Sequence, residues 1–246
     1  MEKNGIIHGV HPVLEAIRGG ANVERILLRR GSLHDGLKEI RDAARAVEIS
    51  LSIVPPEKLD RLVKGEHQGV VAFIGPVPKQ DLDEVVSSLY ERGARPLLLA
   101  LDGVTDVRNI GAIARSAECL GAHALVVPQL GSARLGPDAV KSSAGALLRV
   151  PVCRVKSIAK AAQRVREHGL AIVACTEKAS VELAELALDR PLMLVLGSEE
   201  TGVSDAVLRM ADDLARIPMV GRTGSLNVSV AAGVALYATL MGRSAE

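Results

Sequence analysis

Five side chains stand where chemistry is expected of them: Asn109, Arg115, Glu199, Ser225 and Asn227. They lie in the segments LALDGVTDVRNIGAIARSAECLGA (99–122), LVLGSEETGVSD (194–205) and RIPMVGRTGSLNVSVAAGVALY (216–237). Each segment sets an apolar run, a turn of glycines and polar residues, and a helical pattern side by side. Such a turn gathers backbone N–H groups that the helix leaves unpaired, and an anionic or polar ligand is held well there. Asn109 reads as a helix N-cap, with Gly111 allowing close approach and Arg115 further along the same helix. A pocket shared by Asn109 and Arg115 would lie at the carboxyl end of a strand, where α/β sheets bind ligands. Glu199 follows Gly197 in a turn closed by Gly202. A carboxylate there orients a hydroxyl or offsets a cationic ligand. Ser225 and Asn227 follow Gly221 and Gly224 at the entry to a small-residue helix. Each segment alone also reads as a capped helix with a solvated polar neighbour. Three such turns in one region weigh against that reading.

The elements that must position these groups follow from apolar runs and punctuation. From residue 95 onward the pattern repeats as strand, turn, helix. Strands are expected at 96–101, 124–127, 152–155, 171–175, 192–196 and 214–217, and helices at 110–120, 158–168, 205–210 and 228–241. Most of the strand runs are continuously apolar, as in parallel strands buried on both faces. Residues 1–75 read as a smaller α/β unit, with helices at 10–18 and about 34–47 and strands at 25–28, 51–54 and 70–74. Pro55-Pro56 is expected to stop the second of these strands. A Pro- and Gly-punctuated linker and a connecting helix occupy 76–94. The expected fold class is therefore α/β, with two domains, 1–75 and 95–246.

Composition bounds the function. There are 30 basic and 29 acidic residues, so no global field advertises nucleic-acid binding, and any such contact must rest on local patches such as Arg29-Arg30. The chain has one Phe, two Tyr and no Trp, too few for a platform of stacked aromatics. Cys119, Cys153 and Cys175 are widely spaced and read as reduced thiols, which favours the cytosol. No apolar run reaches membrane-spanning length and no secretory leader is read at the N-terminus. The histidines show no metal-ligand spacing, so no metal is expected, and His8 and His11 read as an ordinary turn. No GxGxxG after a strand, Walker A loop, HExxH or GxSxG occurs.

The three segments resemble the signature motifs of the SpoU-type ribose 2′-O-methyltransferases. The first, N-x-G-x-x-x-R-x-A, is met by Asn109, Gly111, Arg115 and Ala117; the second, G-x-E-x-x-G, by Gly197, Glu199 and Gly202; the third, I-P-M-x-G-x-x-x-S-L-N-V-S-V-A, throughout 217–231. GIIHGVHPVLEAI and HQGVVA at 67–72 resemble the RNA-binding extension of the branch that methylates a guanosine ribose in the peptidyl-transferase loop of 23S rRNA. The resemblance implies a C-terminal domain with a deep trefoil knot and a homodimer with active sites at the subunit interface. It implies S-adenosylmethionine cupped by Gly197, Ile217, Met219, Ser225 and Leu226. It gives Arg115 the role of base or alkoxide stabiliser, with Asn109, Glu199, Ser225 and Asn227 orienting the ribose and Arg115. An always-charged guanidinium favours stabilisation. The run from Lys141 to Ala146 lines the RNA side, lines the cofactor pocket or forms a structural turn. The partners expected are large-subunit ribosomal RNA and a second copy of the chain, in the cytoplasm. The competing readings are a tRNA ribose methyltransferase, a non-catalytic ribosome-assembly factor that keeps the fold, and a small-molecule enzyme using another adenosyl ligand.

Overall fold

The structure is a computed structural model and describes residues 5–31, 34–75 and 77–243. Pro76 of the expected linker and the first four residues of the N-terminal unit lie outside the described residues. The chain runs β1 (Gly5–His8), α1 (Val10–Arg18), β2 (Val23–Arg29), α2 (Asp35–Ala46), β3 (Ser50–Val54), α3 (Pro56–Leu62) and β4 (Val70–Ile74). It continues through β5 (Lys79–Gln80), α4 (Leu82–Glu91), β6 (Leu97–Asp102), α5 (Val107–Cys119), β7 (Ala124–Pro128) and α6 (Pro137–Ser142). Then come β8 (Val152–Val155), α7 (Ile158–Glu167), β9 (Ala171–Cys175), β10 (Val181–Glu182), β11 (Leu192–Gly197), α8 (Asp205–Leu208), β12 (Asp213–Arg216) and α9 (Val228–Arg243).

Two compact units result. One holds the chain up to Val77 together with Leu135–Arg149; the other holds Pro78–Arg134 and the chain from Val150 on. The first unit has a mixed four-stranded sheet in the order β1-β4-β2-β3, with β2 and β3 parallel. Leu27, Val54 and Val71 meet Leu59 of α3 on one face. Pro55 and Pro56, expected only to stop β3, also open α3, because a proline in the first turn lacks just the N–H that a helix start leaves unpaired. In this unit Ser143 is fully buried, its Oγ donating to the Val140 carbonyl at 2.8 Å and accepting from the Leu147 amide at 3.2 Å. That bonding makes the 141–146 run a structural turn.

The second unit carries an eight-stranded sheet in the order β10-β12-β9-β11-β6-β7-β8-β5, with all pairs parallel. The apolar runs that lacked alternation are its buried interior strands: every residue of β7, and Leu192–Leu196 of β11, is buried. Leu98, Ala100, Val126, Met193 and Val195 meet Val86 of α4 and Ala162 and Val165 of α7 on one face. α5 and α9 pack against each other, on β7 and β11 respectively. Asp106, not Asn109, caps α5: its carboxylate accepts from the Arg108 and Asn109 amides at 2.6 and 3.0 Å. Helical geometry begins three residues earlier than expected, which leaves the Asn109 side chain free to reach outside its own helix.

α9 rises about 24 Å over its length, enough to run from the carboxyl ends of the central strands to their amino ends. At its far end Arg243 donates to the carbonyls of Leu188, Arg95, Pro96 and Arg190 at 2.7–3.2 Å. These carbonyls lie just before β6 and β11, so one half-buried guanidinium fastens the helix to two central strands. Arg243→Ala should lower stability by about 3 kcal/mol and the melting midpoint by roughly 8 °C. Lysine should not rescue it, since a single ammonium cannot serve this fan of acceptors. Calorimetry of the three proteins checks this.

Candidate active site

The carboxyl ends of β9, β11 and β12 open onto one cavity of about 410 Å³. Position follows from topology: the three strands are neighbours and parallel, so their outgoing loops share an edge. The loop after β11 is a tight hairpin. Ser198 and Gly202 exchange backbone hydrogen bonds at 3.2 and 3.0 Å, and the Ser198 hydroxyl lies 2.8 Å from that of Thr201. Gly197 is required where this hairpin folds back, since a Cβ there would lie 1.9 Å from the Gly202 carbonyl carbon. Asp102, directly opposite Gly197 on β6, accepts the Ser204 amide at 2.9 Å and ties down the hairpin's far side.

The hairpin presents Glu199 to two asparagines. Glu199 Oε1 accepts from Asn109 Nδ2 at 3.2 Å, from the Val228 amide at 3.3 Å, and from Asn227 Nδ2. Asn227 Nδ2 also donates to Asn109 Oδ1 at 3.1 Å, while Asn227 Oδ1 accepts from the Ser229 amide at 2.9 Å. Asn227 therefore caps α9 and faces the site with the same side chain. The three signature segments meet in this Asn109–Glu199–Asn227 cluster.

Gly197, Glu199, Ile217, Met219, Ser225 and Leu226 all line the cavity. β12 ends at Arg216, so Ile217 belongs to the outgoing loop rather than to the strand. Arg115 is not in the cavity lining; it is exposed on α5, on a stripe with Arg108 and Cys119. Sequence reasoning missed Thr176, Glu177 and Lys178, which also line the cavity. The available signal was their place directly after an interior parallel strand. Among the described residues no cluster of His, Cys, Asp and Glu could hold a metal, and the three cysteines are free thiols. Burial pushes the Cys175 thiol, at the cavity wall, up to about 12, which keeps it protonated and inert.

The chain matches the family model described as the SpoU rRNA Methylase family over residues 96–237, and the model for RNA 2′-O ribose methyltransferase substrate binding over 6–80. The chain belongs to the SpoU methylase family. It is an S-adenosylmethionine-dependent RNA ribose 2′-O-methyltransferase. A TrmH-family tRNA/rRNA methyltransferase of Staphylococcus haemolyticus is 34% identical over 232 residues, 94% of this chain and 93% of the relative. The SpoU methyltransferase AviRb of Streptomyces viridochromogenes, solved with its cofactor AdoMet, superposes with a TM-score of 0.79 at 29% identity, covering 98% of this chain and 91% of that one. The TrmH/SpoU tRNA-modifying enzyme of A. aeolicus gives a TM-score of 0.56 at 29% identity, covering 66% of this chain and 84% of that one.

The cavity fits the SpoU cofactor. Its volume lies in the usual small-ligand range. Leu196, Ile217 and Leu226 offer apolar wall to an adenine, the exposed turns offer backbone amides, and Glu177 and Glu199 offer carboxylates to a cation.

Proposed function

We propose that this SpoU methyltransferase modifies the ribose 2′-hydroxyl of a guanosine in the peptidyl-transferase loop of 23S rRNA. The observation that supports this reading is the match to a substrate-binding unit over residues 6–80, ahead of the methylase region. The A. aeolicus enzyme, named for tRNA modification, matches only two thirds of this chain. On this reading residues 1–75 recognise RNA, 76–94 connect, and 95–246 carry out transfer through a trefoil-knotted loop arrangement, in the cytoplasm.

S-adenosylmethionine, held by Gly197, Ile217, Met219, Ser225 and Leu226, would supply an electrophilic methyl group on sulfur. The protein's own task is the hydroxyl. Its proton must pass to a base as the oxygen bonds the methyl carbon and the carbon–sulfur bond breaks to leave a neutral thioether, and the poor nucleophile needs its developing negative charge offset. Arg115 supplies that charge. Glu199, fixed by three donors, holds Asn109 and Asn227 in one orientation, and with Ser225 they position the ribose. Positioning alone supplies several kcal/mol in such a displacement.

The functional unit proposed is a homodimer. α9 buries Val228, Ala232, Ala235, Leu236 and Thr239 on one stripe. Val230, Val234, Tyr237 and Met241 form a second apolar stripe that is 40–56% exposed. A surface helix normally turns polar residues outward, so a continuous outward apolar stripe fits a second copy. Arg115 stands on the neighbouring helix of the same layer.

The test is methyl transfer from labelled cofactor to unmodified 23S rRNA and to unmodified tRNA. Label in a ribose of the peptidyl-transferase loop supports the reading. Transfer to tRNA alone keeps the chemistry and rejects the substrate. Transfer to neither, with cofactor still bound, would place the substrate outside both RNAs.

A further inference from the structure

One row of side chains crosses the N-terminal sheet: Ile6, Phe73, Arg25 and Ser50, paired strand to strand through β1, β4, β2 and β3. The next row on the same face contains Val71 and Leu27, which meet Leu59 and Val63 on and just after α3. α3 spans only seven residues, and the first row lies at the edge of its cover. Ile6 and Phe73 are only partly buried and Arg25 is exposed. Phe73 is the chain's only phenylalanine. The Arg25 guanidinium carbon stands 4.4 Å from its ring centroid.

A β-bulge creates this pair. Val23 lies opposite Ile74, yet Arg25 lies opposite Phe73, so Glu24 is an extra residue on β2. Without it, strict pairing would set Glu24 opposite Phe73 and turn Arg25 toward Ala72 and the core. Bulges re-aim side chains in this way, at a cost in ladder hydrogen bonding. Here the bulge exchanges a carboxylate for a guanidinium over an aromatic ring.

We propose that Arg25 and Phe73 form a seat on which one unpaired base of the substrate RNA stacks. The proposal rests on the reading of this unit as the RNA-recognising part. A guanidinium laid against a ring is half of a cation–π stack, and a nucleobase completes it from the solvent side. The base must be unpaired, because bases within an A-form duplex already have both faces covered. One ring makes a single seat rather than the aromatic platform that composition excludes, and selects an unstacked position in a folded RNA rather than a stretch of single strand.

The probes are an RNA hairpin with an open adenine loop, the same hairpin with each loop base in turn replaced by an abasic residue, and a fully paired duplex of equal length. Binding is followed by fluorescence anisotropy without cofactor, for wild type, Arg25→Ala and Arg25→Lys. The wild type should prefer the open loop and lose roughly 10-fold in affinity at one abasic position. Arg25→Ala should lose a similar factor on the intact loop and nothing further at that position, the mark of a shared contact. Arg25→Lys should resemble alanine, because an ammonium has no plane to stack. Cofactor affinity and melting temperature should not move, since Arg25 is exposed and outside the cavity lining. Lysine binding like wild type, with no coupling to any base, would reduce the pair to a phosphate contact and overturn the seat. So would an unchanged Arg25→Ala, or equal affinity of the wild type for loop and duplex. Failure of methyl transfer to 23S rRNA with the coupling intact would reject the proposed substrate and leave the seat standing.

Discussion

Gly197→Ala should cost at least about 100-fold in methyl transfer, through a single added methyl group. A Cβ at this position meets the Gly202 carbonyl carbon at 1.9 Å and the Val203 amide nitrogen at 2.1 Å, where contacts under 3.0 Å are essentially never seen. These are backbone atoms, so no side chain can swing aside. Either β11 or the 198–202 hairpin must move by about an ångström. β11 is buried and paired on both edges, with β9 and β6, so the hairpin moves. Glu199 rides on that hairpin and would lose its common position with Asn109, Asn227 and the Val228 amide. Two consequences separate in measurement. Titration calorimetry should show weakened S-adenosylmethionine binding, because Gly197 and Glu199 line the cavity, and single-turnover transfer should fall further at saturating cofactor. Gly202→Ala is the control. Its φ is +68°, so alanine there is strained by roughly 1 kcal/mol, but nothing lies within 4 Å of the new Cβ. It should keep activity within a few-fold. Equal losses in the two variants would mean that loop flexibility, rather than the position of Glu199, sets the rate.

The physics of that hairpin also explains what the sequence could and could not say. Buried parallel strands announce themselves by apolar runs without alternation, so β6, β7, β8, β9 and β11 lay close to their expected places. Gly197, Glu199 and Gly202 were legible because a sharp turn demands glycine. Local pattern failed where a residue answers to something distant. Asn109 looked like a cap because asparagines often are; the true cap, Asp106, was an equally good letter three residues earlier, and only the partner on β11's loop reveals what Asn109 does instead. Thr176, Glu177 and Lys178 carry no unusual spacing, and their place in the cavity wall comes from strand order alone. α3 and the bulge at Glu24 were likewise invisible, the first hidden by prolines that stop one element and open the next, the second because one extra residue in a strand leaves no trace in composition.

Arg115→Ala should lower the single-turnover rate by about 1000-fold while leaving cofactor affinity unchanged, since Arg115 does not line the cavity. Arg115→Lys should recover part of the loss, because a charge returns without the guanidinium fork. The larger question is whose site Arg115 serves. It follows Asn109 by six residues on α5, about 9 Å along the axis, and is exposed on a helix that packs against α9. A second copy docked on that stripe would bring each Arg115 toward the partner's ribose. Mixing two inactive proteins decides this. One carries Arg115→Ala, the other Gly197→Ala. If Arg115 acts across the dimer, a mixed dimer has one site with an intact cavity from the first subunit and an intact arginine from the second. Random exchange should then restore about a quarter of wild-type activity. If Arg115 acts within its own subunit, every site in every dimer lacks one component and the mixture stays inactive. Adding Tyr237→Asp to both proteins should abolish any recovery by placing a carboxylate on the apolar stripe. Recovery that survived this change would locate the dimer contact elsewhere.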